Sequence, residues 1–119
     1  MEIDRFIGKV YWLSGNIFRE NDGSEPLIAS IKRGILNGKE FKIETESTND
    51  EEGGLLKLSS QDGNSFTGTF TYNTSNSPDA RISFKYYTNA MGAILIGEWI
   101  QDTYVYTTII ELERVSEFT

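Results

Sequence analysis

Residues 91–114 constrain the fold more than any other part of the chain, because two apolar runs rich in β-branched and aromatic residues are joined there by only a short polar turn, Gln101-Asp102-Thr103. That composition is the one expected of neighbouring antiparallel strands. A loop of two or four residues sets Trp99 opposite Tyr106, Gly97 opposite Thr108, Leu95 opposite Ile110 and Ala93 opposite Leu112. An odd loop sets Glu98 opposite Tyr106 and scatters the apolar residues. Register follows the choice that makes one coherent face to bury, so the even loop is expected.

The rest of the chain reads as strands and turns. Phe6, Gly8, Val10 and Trp12 share one face of a first strand over residues 6–14, with Ile7, Lys9, Tyr11 and Leu13 on the other. Ser14-Gly15-Asn16 suggests a bend and Asn21-Asp22-Gly23-Ser24 a turn. Residues 26–36 admit two readings. As a strand they place Leu27, Ala29, Ile31 and Ile35 on one face; as a helix they have Ser24 as N-cap and Asn37-Gly38 as C-cap. Gly34 and the isoleucines weigh against the helix. Asn37-Gly38 followed by residues 39–44 supports a hairpin, and a three-residue loop with a bulge is expected to align Ile35 with Phe41 and Arg33 with Ile43.

Further on, Phe66, Gly68, Phe70 and Tyr72 alternate with Thr67, Thr69 and Thr71, the pattern of a half-buried strand. A tight turn at Asp62-Gly63-Asn64 aligns Leu56 with Phe70 and Leu58 with Gly68. Ile82, Phe84 and Tyr86 alternate again. The sum is about eight strands with no secure helix, the signature of an all-β antiparallel barrel or sandwich. The short loops fit a simple up-and-down order best, so a single antiparallel up-and-down β-barrel spanning residues 1–119 as one domain is expected. The glycines before aromatic residues, Gly68-Thr69-Phe70 and Gly97-Glu98-Trp99, are expected where the sheet coils or a neighbouring backbone comes close.

A chain of 119 residues buries about two thirds of its extended surface without metals or disulfides. It has no cysteine and no histidine. Disulfides, thiolate nucleophiles, imidazole acid–base chemistry and Cys- or His-ligated metal sites are thereby excluded. Net charge is −7, so nucleic acid and anionic membranes are poor partners, since both require clustered Lys and Arg. Residues 1–5 lack the basic and apolar regions of a secretory signal and no run is long enough to span a bilayer, so a cytoplasmic location is expected. Asn73-Thr74-Ser75 matches a glycosylation sequon, which without export carries no weight.

The order of elements resembles the small calycin-type barrels, relatives of lipocalins and avidin. The features that carry it are Gly8 and Trp12 in the first strand, successive hairpins, and a penultimate Gly97-Glu98-Trp99 strand followed by a final Tyr/Thr/Ile strand. Lipocalins carry a Gly-x-Trp in the first strand, whereas Gly8 and Trp12 are spaced differently, and no C-terminal helix is evident. The resemblance implies a ligand cavity inside the barrel and leaves the ligand open.

Carboxylates are the remaining source of acid–base chemistry. Glu98, beside Trp99, would serve as a general acid if burial raised its pKa; set opposite Thr107, it reads more simply as solvent-facing. Asn49, Asp50, Glu51 and Glu52 offer oxygen ligands for calcium but depart from the spacing of a calcium loop. No catalytic residue, metal ligand or cofactor is therefore assigned. Trp12, Tyr72, Tyr86, Trp99 and Tyr106 are the candidate ligand-binding residues, flat apolar walls with polar handles; equally, they are of the size that fills an eight-stranded barrel. Ile94, Ile96, Ile100 and Ile109 make the outer face of the hairpin apolar as well, which suggests self-association as a dimer. Two functions follow as expectations: a non-enzymatic barrel binding a small apolar or aromatic ligand in its interior, or an interaction module with a filled core that self-associates through the outer isoleucine face.

Overall fold

In the computed structural model of the protein, Trp99 lies opposite Tyr106, Gly97 opposite Thr108, Leu95 opposite Ile110 and Ala93 opposite Leu112. This is the register expected from the need to bury one face. The hairpin closes with Gln101 paired to Tyr104, and Asp102 takes the left-handed backbone conformation that the tight turn requires, with φ of 55°. Aspartate tolerates that region because its short side chain bonds locally.

The structure describes residues 3–13, 27–47, 52–74 and 79–118. The bend at Ser14-Gly15-Asn16, the turn at residues 21–24, the proposed N-cap Ser24 and most of the acidic loop 48–54 fall outside them. The described residues form eight strands: β1 (Ile3–Leu13), β2 (Leu27–Asn37), β3 (Glu40–Thr45), β4 (Gly54–Ser59), β5 (Ser65–Tyr72), β6 (Ala80–Thr88), β7 (Gly92–Gln101) and β8 (Tyr104–Val115). Each pairs antiparallel with its neighbour in sequence, and β8 pairs with β1, so the sheet closes into a single barrel. Closure removes both sheet edges, the groups that otherwise template aggregation. No helix among the described residues is long and apolar enough to cross a membrane.

Residues 27–37 are strand, not helix, but their register differs from expectation. Leu36 pairs with Phe41 and Gly34 with Ile43, around a two-residue Gly38-Lys39 turn with Gly38 at φ of 66°. The three-residue loop aligning Ile35 with Phe41 is therefore incorrect. The cause is a bulge at Lys32-Arg33: between Ile31 and Arg33 β2 advances two residues while β3 advances one. Two successive side chains, Lys32 and Arg33, are exposed there, and the inward set changes from Ala29 and Ile31 to Gly34 and Leu36. A bulge inserts one residue and so re-phases the alternation beyond it.

Elsewhere alternation runs as the pattern requires. Leu56 faces Phe70 and Leu58 faces Gly68 across β4 and β5. The inward glycines relieve close strand crossing: a Cβ on Gly68 would overlap the Lys57 carbonyl oxygen, and one on Gly97 the Ser83 carbonyl oxygen. Tight coiling of this kind is what a small barrel demands of its strands.

The interior has two levels. Towards the end formed by the start of β1 and the end of β8, Phe41 packs against Phe6, Phe66 and Tyr86 with ring centroids 5.6, 5.8 and 6.1 Å apart. Phe6, Phe41, Phe66, Phe84 and Leu95 are fully buried here. Arg114 closes this end. Its guanidinium lies 5.2 Å over the Phe6 ring, pairs with Asp4 at 2.8 Å, and donates to Thr88 Oγ1 at 2.8 Å and to the Asn89 carbonyl at 3.3 Å. A cation held over a ring face and bonded at its rim seals an apolar interior without stranding a charge in it.

Candidate functional site

The opposite end is built from the last residues of β1, β5 and β7 and the first of β8. Trp12 ends β1 on its inward face, Tyr72 ends β5, Trp99 stands near the end of β7, and Tyr106 pairs with it from β8. Alternation directs all four inward because each continues the buried parity of its strand: Phe6 and Val10 before Trp12, Phe66 and Phe70 before Tyr72, Leu95 before Trp99, and Thr108 and Ile110 after Tyr106.

Trp12, Phe70 and Tyr72 make one ring cluster around Trp99, while the Tyr106 ring lies 6.3 Å from that of Tyr104. Trp12 meets it edge-on, at 5.2 Å and 88°. Phe70 lies tilted beneath it at 4.8 Å, and Tyr72 stands edge-on to Phe70 at 5.0 Å and 86°. Phe70 is itself seated on Gly54, where a Cβ would come within 2.6 Å of the ring. Edge-on pairs match positive ring edges to negative ring faces and add about 0.5–1.5 kcal/mol each beyond area burial.

A polar strip crosses the cluster. Trp99 Nε1 donates to Gln101 Oε1 at 3.1 Å, and Gln101 Nε2 donates to the Tyr72 hydroxyl at 3.2 Å. The amide therefore serves both polar aromatic tips at once and fixes the indole ring plane. Trp99 is buried, whereas Trp12, Tyr72, Gln101 and Tyr106 are half-buried. The cluster thus reaches from the core to the rim.

Of the five aromatic residues singled out in the sequence, four gather at this end. Tyr86 does not; it sits with Phe41 and Phe66 in the packed lower level. Two contributors were missed, Phe70 and Gln101. Both had a signal: Phe70 shares the alternation of Tyr72, and Gln101 the parity of Trp99.

The site as described presents rings and one amide, with no acid, amine or guanidinium among those side chains. Glu98 is exposed on the outer wall, opposite Ser83 and Thr107. Of the acidic loop considered for calcium, Glu52 is described, and its carboxylate accepts from Thr74 Oγ1 at 3.0 Å. No group of three metal-ligating side chains occurs among the described residues. Ile94 and Ile96 are exposed on the outer wall, and Ile100 and Ile109 are half-buried there.

Comparison with protein-family models and with curated proteins gives no match.

Proposed function

We propose that the protein is a non-enzymatic, calycin-like barrel that binds a small apolar or aromatic molecule at the aromatic end of its interior. The observation that carries this reading is the asymmetry of the barrel. One end is stoppered by Arg114 over a packed phenylalanine level, and the other carries half-buried rings with a hydrogen-bonded amide between them. Flat apolar walls with a few placed polar groups are what a small-molecule site requires, and an eight-stranded barrel has room for one small ligand at most. The aromatic tips favour a planar ligand with a polar substituent, stacked on the half-buried Trp12. A reducing cytoplasm suits a chain without cysteine.

A second reading, an interaction or scaffolding module with a filled core, draws on the packed lower level, where five large side chains are fully buried. Native mass spectrometry of freshly purified protein separates the two. Under the ligand reading a fraction of the protein carries a bound small molecule, and 2-naphthol quenches tryptophan fluorescence with saturation. Trp12→Leu then weakens that binding by about tenfold, the loss of roughly 1.4 kcal/mol of stacking. Protein that is uniformly ligand-free and gives no saturable quenching sinks the ligand reading.

A further inference from the structure

The outer wall of β7 and β8 is apolar where the outer faces of β3 and β5 are not. Cross-strand pairing puts Ile28 opposite Tyr11, Tyr11 opposite Ile109, and Ile109 opposite Ile96. The four form one row across neighbouring strands of β2, β1, β8 and β7. Ile94 and Tyr87 pair beside the row, and Ile100 pairs with Val105 on its other side, beyond the polar Glu98–Thr107 pair. Scattered exposed aliphatics are ordinary on a soluble protein, but a contiguous patch on one side marks a contact surface.

A knob and a hollow lie on this same wall. The loop joining β6 and β7 carries Met91, which is 82% exposed. The loop is not a slack one. Asn89 Oδ1 accepts from the Met91 and Gly92 backbone N–H groups at 2.9 and 3.0 Å, and Arg114 donates to the Thr88 hydroxyl and the Asn89 carbonyl. Met91 forms one margin of a groove of about 900 Å³ whose lining also includes Lys9, Tyr11, Tyr87, Ile94 and Glu111. An apolar projection beside a hollow that offers Tyr11, Tyr87 and Ile94 between charged margins is self-complementary on one surface. A two-fold axis through the wall seats each projection in the other copy's hollow, as an isologous interface requires.

We propose that a second copy of this chain docks on the wall, forming a two-fold dimer in which Met91 of each copy enters the Tyr11–Ile94 groove of the other and the isoleucine row packs alongside. Area and charge both favour a second copy. The exposed parts of Ile28, Tyr87, Met91, Ile94, Ile96 and Val105 offer about 600 Å² per copy, taking a large side chain at roughly 150–250 Å². The half-buried Ile100 and Ile109 bring the wall near the about 800 Å² per partner of a standard interface. The wall sets Lys9, Arg81 and Lys85 against Glu98, Glu111 and Glu113, in balance within a chain whose net charge is −7. Its acidic excess therefore lies elsewhere, and two copies meeting here avoid most of their mutual repulsion. The wall and the aromatic cluster share no side chain, so the dimer stands or falls independently of ligand binding.

Sedimentation of the full chain across the micromolar range tests this. The wild type sediments as a dimer that dissociates on dilution. Met91→Glu and Ile96→Glu, both at exposed positions where folding is indifferent, each raise the dissociation constant by at least about 30-fold, the loss typical of a central contact residue. Circular dichroism and melting temperature stay at wild-type values. Thr67→Glu, on the polar wall of β5, leaves the dimer intact. A wild type that is monomeric throughout overturns the proposal, as does a dimer indifferent to both wall substitutions. A monomer that floats with phosphatidylcholine vesicles in a Met91-dependent manner overturns it in favour of a membrane occupant.

Discussion

Phe41→Ala is the sharpest probe of how the barrel interior is built. The ring is fully buried and touches three others at centroid separations of 5.6, 5.8 and 6.1 Å. Truncating a buried Phe to Ala costs about 3–5 kcal/mol, the transfer loss plus the cavity left behind. A cage of rings supported by a closed sheet collapses poorly, which places the value near the middle, about 4 kcal/mol. An unfolding entropy of about 2.1 cal/mol/K per residue over 119 residues is about 250 cal/mol/K, so the melting temperature falls by about 16 °C. Phe41→Leu keeps most of the volume and should lose no more than about 1.5 kcal/mol. Urea unfolding followed by circular dichroism measures both, and the slope with denaturant should be unchanged if the variants remain two-state. Were the lower level hollow, the ring would be one wall of an existing cavity and its loss would be cheap. A cost below about 2 kcal/mol for Phe41→Ala would refute the packed lower level.

Three further outcomes follow from the geometry. Gly68→Ala drives a Cβ into the Lys57 carbonyl oxygen and should cost about 3 kcal/mol, the upper range of overpacking, read as a lowered urea midpoint. Gln101→Ala removes the acceptor of the buried Trp99 indole N–H. It should destabilise by about 1–3 kcal/mol and shift the tryptophan emission, whereas an unchanged spectrum would mean that the amide does not hold the ring. Asp62 accepts backbone N–H bonds from Asn64 and Ser65 at 2.8 and 2.9 Å, and these hold its carboxyl below the usual aspartate value. A depressed folded pKa contributes stability above the unfolded value of about 4 and loses it as pH falls further. Asp62→Ala should accordingly melt lower than wild type at neutral pH, with the gap narrowing below about pH 4; a gap that does not change with pH would refute the assignment.

The hairpin of β7 and β8 was legible because a single residue of slip turns every apolar side chain outward, leaving one register able to bury Leu95, Trp99 and Ile110 together. The alternation of β5 and β6 was legible for the same reason. Residues 32–36 were not. The bulge at Lys32-Arg33 re-phases β2, so Leu36 rather than Ile35 points inward, and no periodicity reading detects an inserted residue. The aromatic site was half legible. Parity alone places Trp12, Tyr72, Tyr86, Trp99 and Tyr106 inside, but height along the axis depends on accumulated register around all eight strands. Tyr86 therefore parts from the others, and Phe70 and Gln101 join them. Which face was inward came from local chemistry; which inward residues meet came only from closure.

The two tryptophans of the chain both stand in the proposed site, with ring centroids 5.2 Å apart. Their indole N–H signals in a two-dimensional ¹H–¹⁵N spectrum therefore report on it alone. On titration with 2-naphthol both indole signals should move together and saturably, while backbone signals of Phe41, Phe66 and the Met91 loop stay in place. Indole signals that hold still, or changes confined to the outer wall, would contradict ligand binding at the aromatic end.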